Sequence, residues 1–249
     1  MPRFDGLYYE EHGSGEPILC IHGAGSSTLL WADAIAKLAE LGRVIAYDRR
    51  GCSRSERPEP YERTSTREHA DDAVALLDEL QAAPAVVIGR SYGGTVGLDM
   101  ALRHPDKVRA VVSLEGDAPR ELAPRTAAWL DGIAARIEEA EVPGELLIDE
   151  IYEPGAWTAI PDELRRVLTE NGPALRAEVR GAWWLDGDPA GIRQPVLLVA
   201  ANDSRPELRE PSEALAAALP NARLARVDGG HLIDPAAPVV LDFVAEVLG

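Results

Sequence analysis

A serine flanked by glycines stands where a hydrophobic run ends and a helical pattern begins. The stretch VVIGRSYGGTVGL, residues 86–98, contains the pattern Gly-x-Ser-x-Gly around Ser91. Between a strand and a helix this pattern is typical of a nucleophile elbow, a sharp turn that exposes the serine hydroxyl. The glycines permit so tight a turn, and we expect strained backbone at Ser91. A merely flexible turn is the other interpretation, and the context favours Ser91 as a nucleophile.

A serine hydroxyl attacks efficiently only when a base takes its proton, and histidine is the usual base. We predict His231 as this base, because it follows the last predicted strand in the loop VDGGHLIDP. The chain order of serine before histidine suits a strand–elbow–helix arrangement. The other histidines are interpreted as structural: His104 at a helix end, His69 on a polar helix face, His12 in an early turn and His22 in a turn after a strand.

Attack on a carbonyl group also requires N–H donors that stabilise the oxyanion. The amide of Tyr92, directly after the serine, is the first predicted donor. The segment HGAGSS follows an early strand and supplies small residues near the start of a helix. Its Ala24 amide is the predicted second donor.

Short β-like runs alternate with amphipathic helical stretches along the chain. The predicted strands are PILCIHG, RVIAYD, AVVIG, VRAVVSLE, PVLLVAA and ARLARV. The predicted helices are TLLWADAIAKLAEL, TREHADDAVALLDELQA, residues 92–103, PSEALAAAL and residues 238–248. Continuous Val, Ile and Leu strands between helices are typical of a mostly parallel sheet covered on both faces. The sequence therefore predicts an α/β fold.

Residues 118–190 interrupt this alternation. The segment is helical in pattern, is interrupted by prolines from Pro119 to Pro173 and contains no convincing strand. It holds four of the five tryptophans, which are Trp129, Trp157, Trp183 and Trp184. We predict an inserted helical lid whose rings line a substrate pocket, with packing inside a helical subdomain as the alternative role of these rings.

These elements together resemble the α/β-hydrolase superfamily over nearly the whole chain. The resemblance is carried by the segment from His22 to Gly25, the loop DRRGCSRS from Asp48, the elbow at Ser91 and the loop of His231. It implies a core domain formed by residues 1–117 and 191–249, with residues 118–190 as an inserted cap. It also implies hydrolysis without a cofactor. Ser53 departs from the pattern, since the superfamily often has a second glycine there.

The carboxylate that orients the histidine has two candidates. In the superfamily it usually follows the strand represented by PVLLVAANDS, where the expected position is Ser204 and Asp203 lies one residue too early. Glu115 ends the preceding strand, and some relatives place the acid there. The segment HPDKVRAVVSLE resembles the zearalenone-lactonase group, in which a glutamate at this point completes a Ser-His-Glu triad. We prefer Glu115 and keep Asp203 open; Asp117 and Asp234 are less suitably placed.

Composition excludes several classes of protein. The 249 residues carry a net charge of −17, which opposes unaided binding to nucleic acid or to an anionic membrane. Cys20 and Cys52 provide neither a disulfide framework nor a metal motif. No apolar run resembles a secretion signal or a membrane span, so we predict a cytoplasmic protein, monomeric or homodimeric, that acts on a small molecule.

The predicted reaction is hydrolysis of a carboxylic ester or lactone of a bulky apolar or aromatic molecule, with a zearalenone-like lactone as one candidate. Thioesterase, C–C hydrolase and cofactor-free perhydrolase activities use similar residues and stay open, as does a non-catalytic ligand receptor on the same fold. A dinucleotide-binding interpretation of Gly23, Gly25 and Asp48 is weaker, because Thr28 replaces the third glycine of that fingerprint.

Overall fold

The computed structural model describes residues 2–181 and 183–249 and contains one eight-stranded sheet. Its strands are β1 (Arg3–Phe4), β2 (Leu7–His12), β3 (Pro17–Ile21), β4 (Arg43–Tyr47), β5 (Ala85–Arg90), β6 (Val108–Leu114), β7 (Val196–Ala201) and β8 (Ala222–Val227). Their order in the sheet is β1-β2-β4-β3-β5-β6-β7-β8. β2 pairs antiparallel with β1 and β4, and the pairs from β4 through β8 are parallel. The mostly parallel sheet predicted from the sequence is confirmed.

The α-helices of the described residues are α1 (Ala32–Leu38), α2 (Thr66–Glu79), α3 (Tyr92–Arg103), α4 (Pro124–Glu139), α5 (Pro143–Ile151), α6 (Asp162–Glu170), α7 (Gly172–Arg180), α8 (Pro206–Ala218) and α9 (Pro238–Leu248). Helices α4 to α7 follow one another between β6 and β7, and no strand lies among them in the described part of that segment. The insertion therefore interrupts the core between two neighbouring parallel strands.

Both faces of the sheet are buried under helices. In β3, Leu19 and Ile21 belong to the apolar cluster of α2 and α3, whereas Ile18 and Cys20 belong to the cluster of α1 and α9. Successive side chains of a strand point to opposite faces, so a strand covered on both faces must be apolar throughout. This requirement explains the continuous hydrophobic runs of the sequence.

Several elements differ from their sequence predictions. The antiparallel pair β1 and β2 has no counterpart among the predicted strands, and His12, expected in a turn, ends β2. The stretch from Thr28 divides into a 3₁₀ turn and the short helix α1. Helix α8 begins at Pro206, five residues before the predicted start at Pro211, because Pro206 occupies a first-turn position that needs no N–H donor.

His69 was predicted on a polar helix face, and this prediction is wrong. Its side chain is fully buried, and the ring meets the Tyr92 ring edge-on at 5.7 Å between centroids. Burial and the Arg49 charge lower the pKa of His69 well below its ordinary value, so the ring is neutral at pH 7. The polar neighbours of His69 on α2 conceal that this face of the helix packs against the core.

Candidate active site

The turn at Ser91 has the geometry that the glycine pattern predicts. Ser91 joins β5 to α3 with φ 50° and ψ −124°, a conformation that is strained for a residue with a side chain. A side chain at Gly89 would collide with the Gly93 carbonyl, and one at Gly93 would collide with the Ile21 carbonyl. The glycines are therefore needed so that α3 can turn closely back over the strand ends.

His231 lies against a carboxylate from the neighbouring part of the sheet. Its Nδ1 is 2.6 Å from Oε2 of Glu115, and both residues are buried. Glu115 follows β6 directly and has φ 51°, in the left-handed region. The two residues are 116 positions apart in sequence, so this contact depends on the fold and on no local pattern.

The Glu115 carboxylate is held by the end of strand β7. The Ala201 N–H donates to Oε1 at 2.9 Å, and the Ser204 hydroxyl donates to Oε2 at 2.8 Å. Ser204 is the residue at the position where the superfamily usually places its acid. In this chain that position therefore carries a donor to the carboxylate supplied by the adjacent strand.

Asp203, the alternative acid, is exposed. Its backbone N–H donates to the Gly229 carbonyl at 3.0 Å, which ties the loop after β7 to the loop that carries His231. In the described part of the chain, Glu115 is the carboxylate within ion-pair distance of the His231 ring. Asp203 lies one residue before the position at which the superfamily usually has its acid, and its side chain faces solvent.

A largely apolar cavity brings the predicted residues together. Ser91, His231, Ala24 and Tyr92 all line it. Aliphatic residues of three inserted helices form much of its wall, including Leu130, Ile133, Leu147, Ile151, Leu164 and Leu168. Within each helix these residues are three or four positions apart, a spacing that indicates a buried helix face. The spacing does not show that the three faces meet over one cavity.

Two of the four tryptophans predicted for the pocket line it, and two do not. Trp129 and Trp183 belong to the wall. Trp157 packs in a separate cluster between α5 and α6, where its backbone N–H donates to Asp149 at 2.9 Å. Trp184 lies under the Arg120 guanidinium, 4.3 Å from its ring centroid, and lines a small adjoining cavity. The pocket prediction is therefore wrong for Trp157 and Trp184, because composition shows neither helix orientation nor ring direction.

Comparisons with known proteins identify relatives of this chain. A family model described as alpha/beta hydrolase fold matches residues 16–142. A protein of Azorhizobium caulinodans named "Putative carbamate hydrolase RutD" is 33% identical over 251 residues, across 95% of this chain and 92% of its own. This chain belongs to the α/β-hydrolase family.

Solved structures show the same similarity. Est816, described as an N-acyl homoserine lactone degrading enzyme, has a TM-score of 0.67 and 27% identity, covering 99% of this hydrolase and 97% of its own chain. A thermophilic esterase from Thermogutta terrifontis has a TM-score of 0.78 at 20% identity, covering 98% and 94% respectively, and shares the fold.

The loop that carries Ala24 in this α/β hydrolase is held by the inserted helix α7. The Gly25 N–H donates to Oε2 of Glu178 at 3.1 Å. Arg49 lies 2.8 Å from the other Glu178 oxygen and donates to the carbonyls of His22 and Gly23 at 3.2 and 2.8 Å. Both members of the ion pair are fully buried. The loop of the predicted oxyanion donor is therefore fastened to the insertion as well as to the core.

Asn171, at the start of α7, adds a second attachment. Its Nδ2 donates to the carbonyls of Gly25 and Ser26 at 3.1 and 2.8 Å, and its Oδ1 accepts the Ser53 N–H at 2.7 Å. Ser53 has φ 47°, in the region that favours glycine. Ser53, which stands where the superfamily often has a glycine, is therefore a strained residue that contacts Asn171.

Replacing Glu178 by glutamine should lower the free energy of unfolding by about 3–5 kcal/mol, because the buried Arg49 charge loses its partner. Glu138→Gln is the matched control, since it removes a surface pair with Arg180 and should cost less than about 1 kcal/mol. Urea unfolding of the parent and both variants measures the difference. Equal losses in the two variants would contradict the importance of the buried pair.

His22 and Asp48 have structural contacts. Nε2 of His22 accepts the Arg49 N–H at 2.9 Å, and its Nδ1 lies 2.9 Å from the Gly23 carbonyl. Burial, with the Arg49 charge, lowers the pKa of His22 to about 3, so this ring is neutral. The buried Asp48 carboxylate, which the dinucleotide interpretation assigns to a ribose, accepts from the Thr28 N–H at 2.8 Å and from Arg54.

Asp117 contributes a carboxyl group to the cavity wall. Its backbone N–H donates to the Thr95 hydroxyl at 2.8 Å, and its side chain borders both the main and the adjoining cavity. Burial raises the pKa of Asp117 to about 7. A substantial fraction of this side chain is therefore neutral at pH 7 and able to donate a hydrogen bond.

Asp117→Asn should stabilise the protein at pH 8 and much less at pH 4.5. With a folded-state pKa above the ordinary 3.8, Asp117 contributes stability at low pH that is lost as the pH rises through about 7. The rise of the pKa from 3.8 to about 7 corresponds to a loss of at most about 4 kcal/mol in the free energy of unfolding above pH 7. Asparagine has no ionised form, so the variant does not suffer this loss. Melting temperatures of parent and variant at both pH values test this, with exposed Asp186→Asn as control. An equal effect of Asp117→Asn at both pH values would contradict the prediction.

Neither a metal site nor a membrane-spanning helix is found in residues 2–181 and 183–249. No three His, Cys, Asp or Glu side chains there are grouped so that they could hold a metal ion. None of the helices in these ranges has both the length and the apolar character needed to cross a membrane. Cys20 and Cys52 are buried and are not joined to each other.

Proposed function

We propose that this hydrolase cleaves a carboxylic ester or lactone through Ser91, His231 and Glu115, by way of an acyl-enzyme. The observation that carries the proposal is the 2.6 Å contact between His231 and Glu115 beside the cavity that His231 and Ser91 both line. The contact occupies Nδ1 of the imidazole, so Nε2 is the nitrogen available to the serine.

The catalytic cycle divides one difficult step into two. Ser91 attacks the carbonyl carbon as Nε2 of His231 takes its proton, and the Ala24 and Tyr92 amides stabilise the oxyanion. The imidazolium, stabilised by Glu115, then protonates the departing alcohol. Water attacks the acyl-enzyme with His231 again as base, and Ser91 recovers its proton as the acid is released. With a lactone, alcohol and acid leave as one opened molecule.

Helices α4 to α7 act in this proposal as a cap over the cavity. Their aliphatic side chains, with Trp129 and Trp183, exclude water and favour a substrate with an apolar or aromatic body. Attachment of the Gly25 loop to Glu178 couples the cap to the oxyanion donors. The cap thus both shapes the pocket and supports the catalytic loop.

Carbamate hydrolysis is a second candidate, favoured by the 33% identity to the Azorhizobium protein across 95% of this chain. The same nucleophile and base would attack a carbamate carbonyl. Four further alternatives use the same fold and similar residues, so only activity measurements distinguish them from ester hydrolysis. They are thioester hydrolysis, C–C hydrolysis, perhydrolysis and ligand reception without catalysis.

A panel of esters, lactones, thioesters and carbamates, assayed on the parent protein and on Ser91→Ala, tests the proposal. The lactones include an N-acyl homoserine lactone and zearalenone. We expect the largest kcat/KM on an ester or lactone, and its loss in Ser91→Ala. Faster turnover of a carbamate would favour the second candidate. No turnover of any member would contradict both candidates and leave C–C hydrolysis, perhydrolysis and ligand reception to be tested.

A further inference from the structure

Arg90, the residue before the proposed nucleophile, places a buried cation in the wall of the cavity. Arg90 is one of the residues that line the cavity, together with Ser91 and His231, and it is only 6% exposed. Within the described ranges, no carboxylate lies within 4 Å of its guanidinium nitrogens. This charge is therefore without an ion-pair partner next to the reacting groups.

The contacts of Arg90 leave much of its hydrogen-bonding capacity unused. One terminal nitrogen donates to the Ile233 carbonyl in the loop of His231. Its Nε is buried and has no partner in the described structure. Burial lowers the pKa of Arg90, while Tyr152 and Asp234 act in the opposite direction, and a guanidinium stays charged at neutral pH.

A second buried arginine, Arg49, provides a comparison, because its charge is paired within the protein. Arg49 lies 2.8 Å from the Glu178 carboxylate and donates to two carbonyl groups. Burying a charge is costly unless it is paired, and Arg49 is paired within the protein. Arg90 is nearly as buried, at 6% exposed, but in the described residues no carboxylate lies within 4 Å of it. Asp234 acts on it only from a greater distance, so the guanidinium is free to pair with a carboxylate that enters the cavity.

Asp117 does not supply this partner. Burial raises the pKa of Asp117, and in the described residues no ion pair within 4 Å joins Asp117 to Arg90. Asp117 borders Thr95 and the adjoining cavity, whereas Arg90 contacts the loop of His231. The cavity thus has a cation and a partly neutral acid in separate parts of a largely apolar wall.

We propose that Arg90 binds a carboxylate of the substrate, so that the preferred substrate is an apolar ester or lactone that carries one carboxylate. The proposal rests on the function proposed above and narrows its substrate class. A guanidinium binds carboxylate oxygens through paired N–H donors, and such a charged hydrogen bond is strong in a cavity that excludes water. The site also offsets the repulsion that a net charge of −17 imposes on an anion.

Two pairs of substrates test the proposal and show which half of the substrate carries the carboxylate. On the acyl side, mono-p-nitrophenyl glutarate is compared with p-nitrophenyl butyrate; on the leaving-group side, 4-carboxyphenyl butyrate is compared with 4-carbamoylphenyl butyrate. For each pair the ratio of kcat/KM, anionic over neutral, is measured in the parent, Arg90→Met and Arg90→Lys. The ratio cancels intrinsic reactivity and any general loss of activity.

We expect Arg90→Met to lower this ratio by about 10- to 100-fold in one pair, and Arg90→Lys to retain part of the preference. Unchanged ratios in both pairs would overturn the proposal. Melting temperatures show whether the variants fold, and Arg90→Gln replaces Arg90→Met if that variant does not.

Binding to Ser91→Ala separates failure of this proposal from failure of the proposed function. Calorimetry compares 4-phenylbutyrate with 4-phenylbutanamide on Ser91→Ala and on Ser91→Ala/Arg90→Met. A preference for the carboxylate that requires Arg90 supports the site even if no ester is hydrolysed. Equal binding of acid and amide to Ser91→Ala overturns it even if Ser91 proves to be the nucleophile.

Discussion

Replacing Ser91 by alanine is expected to lower kcat for a p-nitrophenyl ester by about 10⁶-fold, the loss found when a triad nucleophile is removed. Without the Oγ no acyl-enzyme forms, and His231 has no adjacent hydroxyl to activate. The fold should be retained, because φ 50° at this position is no worse for alanine than for serine. Initial rates at saturating ester, together with the melting temperature, give the result.

Ser212→Ala is the matched control for this experiment. Ser212 is also buried, its hydroxyl has no partner in the described structure, and it lies in α8 outside the cavity. Its replacement should change kcat by less than about threefold, as expected for a substitution that removes no catalytic contact. A fluorophosphonate should add one adduct to the parent and none to Ser91→Ala. Retained turnover or labelling in Ser91→Ala would show that another group is the nucleophile.

Glu115→Gln should lower kcat by about 10⁴-fold, as in other triads whose acid becomes an amide. The Ala201 N–H can only donate, so the glutamine oxygen takes the position of Oε1. The NH₂ group then takes the position of Oε2, where it faces His231 and the Ser204 hydroxyl, which can rotate to accept. Nδ1 of the imidazole then accepts a hydrogen bond, so the ring proton moves to Nε2. In that tautomer His231 cannot take the proton from Ser91.

Asp203→Asn is the comparison for Glu115→Gln, because both substitutions exchange a carboxylate for an amide of similar shape. Asp203 is exposed and contributes a backbone hydrogen bond that asparagine retains, so we expect a change in kcat of less than about threefold. Circular dichroism confirms folding in both variants. A large loss in Asp203→Asn with a small loss in Glu115→Gln would reverse the assignment of the acid.

The positions of strands β3 to β8, the turn at Ser91 and the helical character of the insertion were predictable from sequence, because each depends on a local pattern. A buried parallel strand must be apolar at every position, and Gly89 and Gly93 mark the close approach of α3 to the strand ends. The hairpin of β1 and β2 was missed, since LYYEEH has neither a continuous apolar run nor a clear alternation.

The tertiary structure alone decided which side chains meet. The contact of Glu115 with His231 joins residues 116 positions apart, and it exists because β6, β7 and β8 are consecutive parallel strands whose carboxyl ends lie at one edge of the sheet. The direction of Trp157 and Trp184 away from the pocket depends on how the inserted helices pack. Sequence thus determined the elements and the residue types available for chemistry. The pairing of Arg49 with Glu178, and the absence of such a carboxylate near Arg90 in the described residues, emerged only from folding, because burial and distance are properties of the assembled chain.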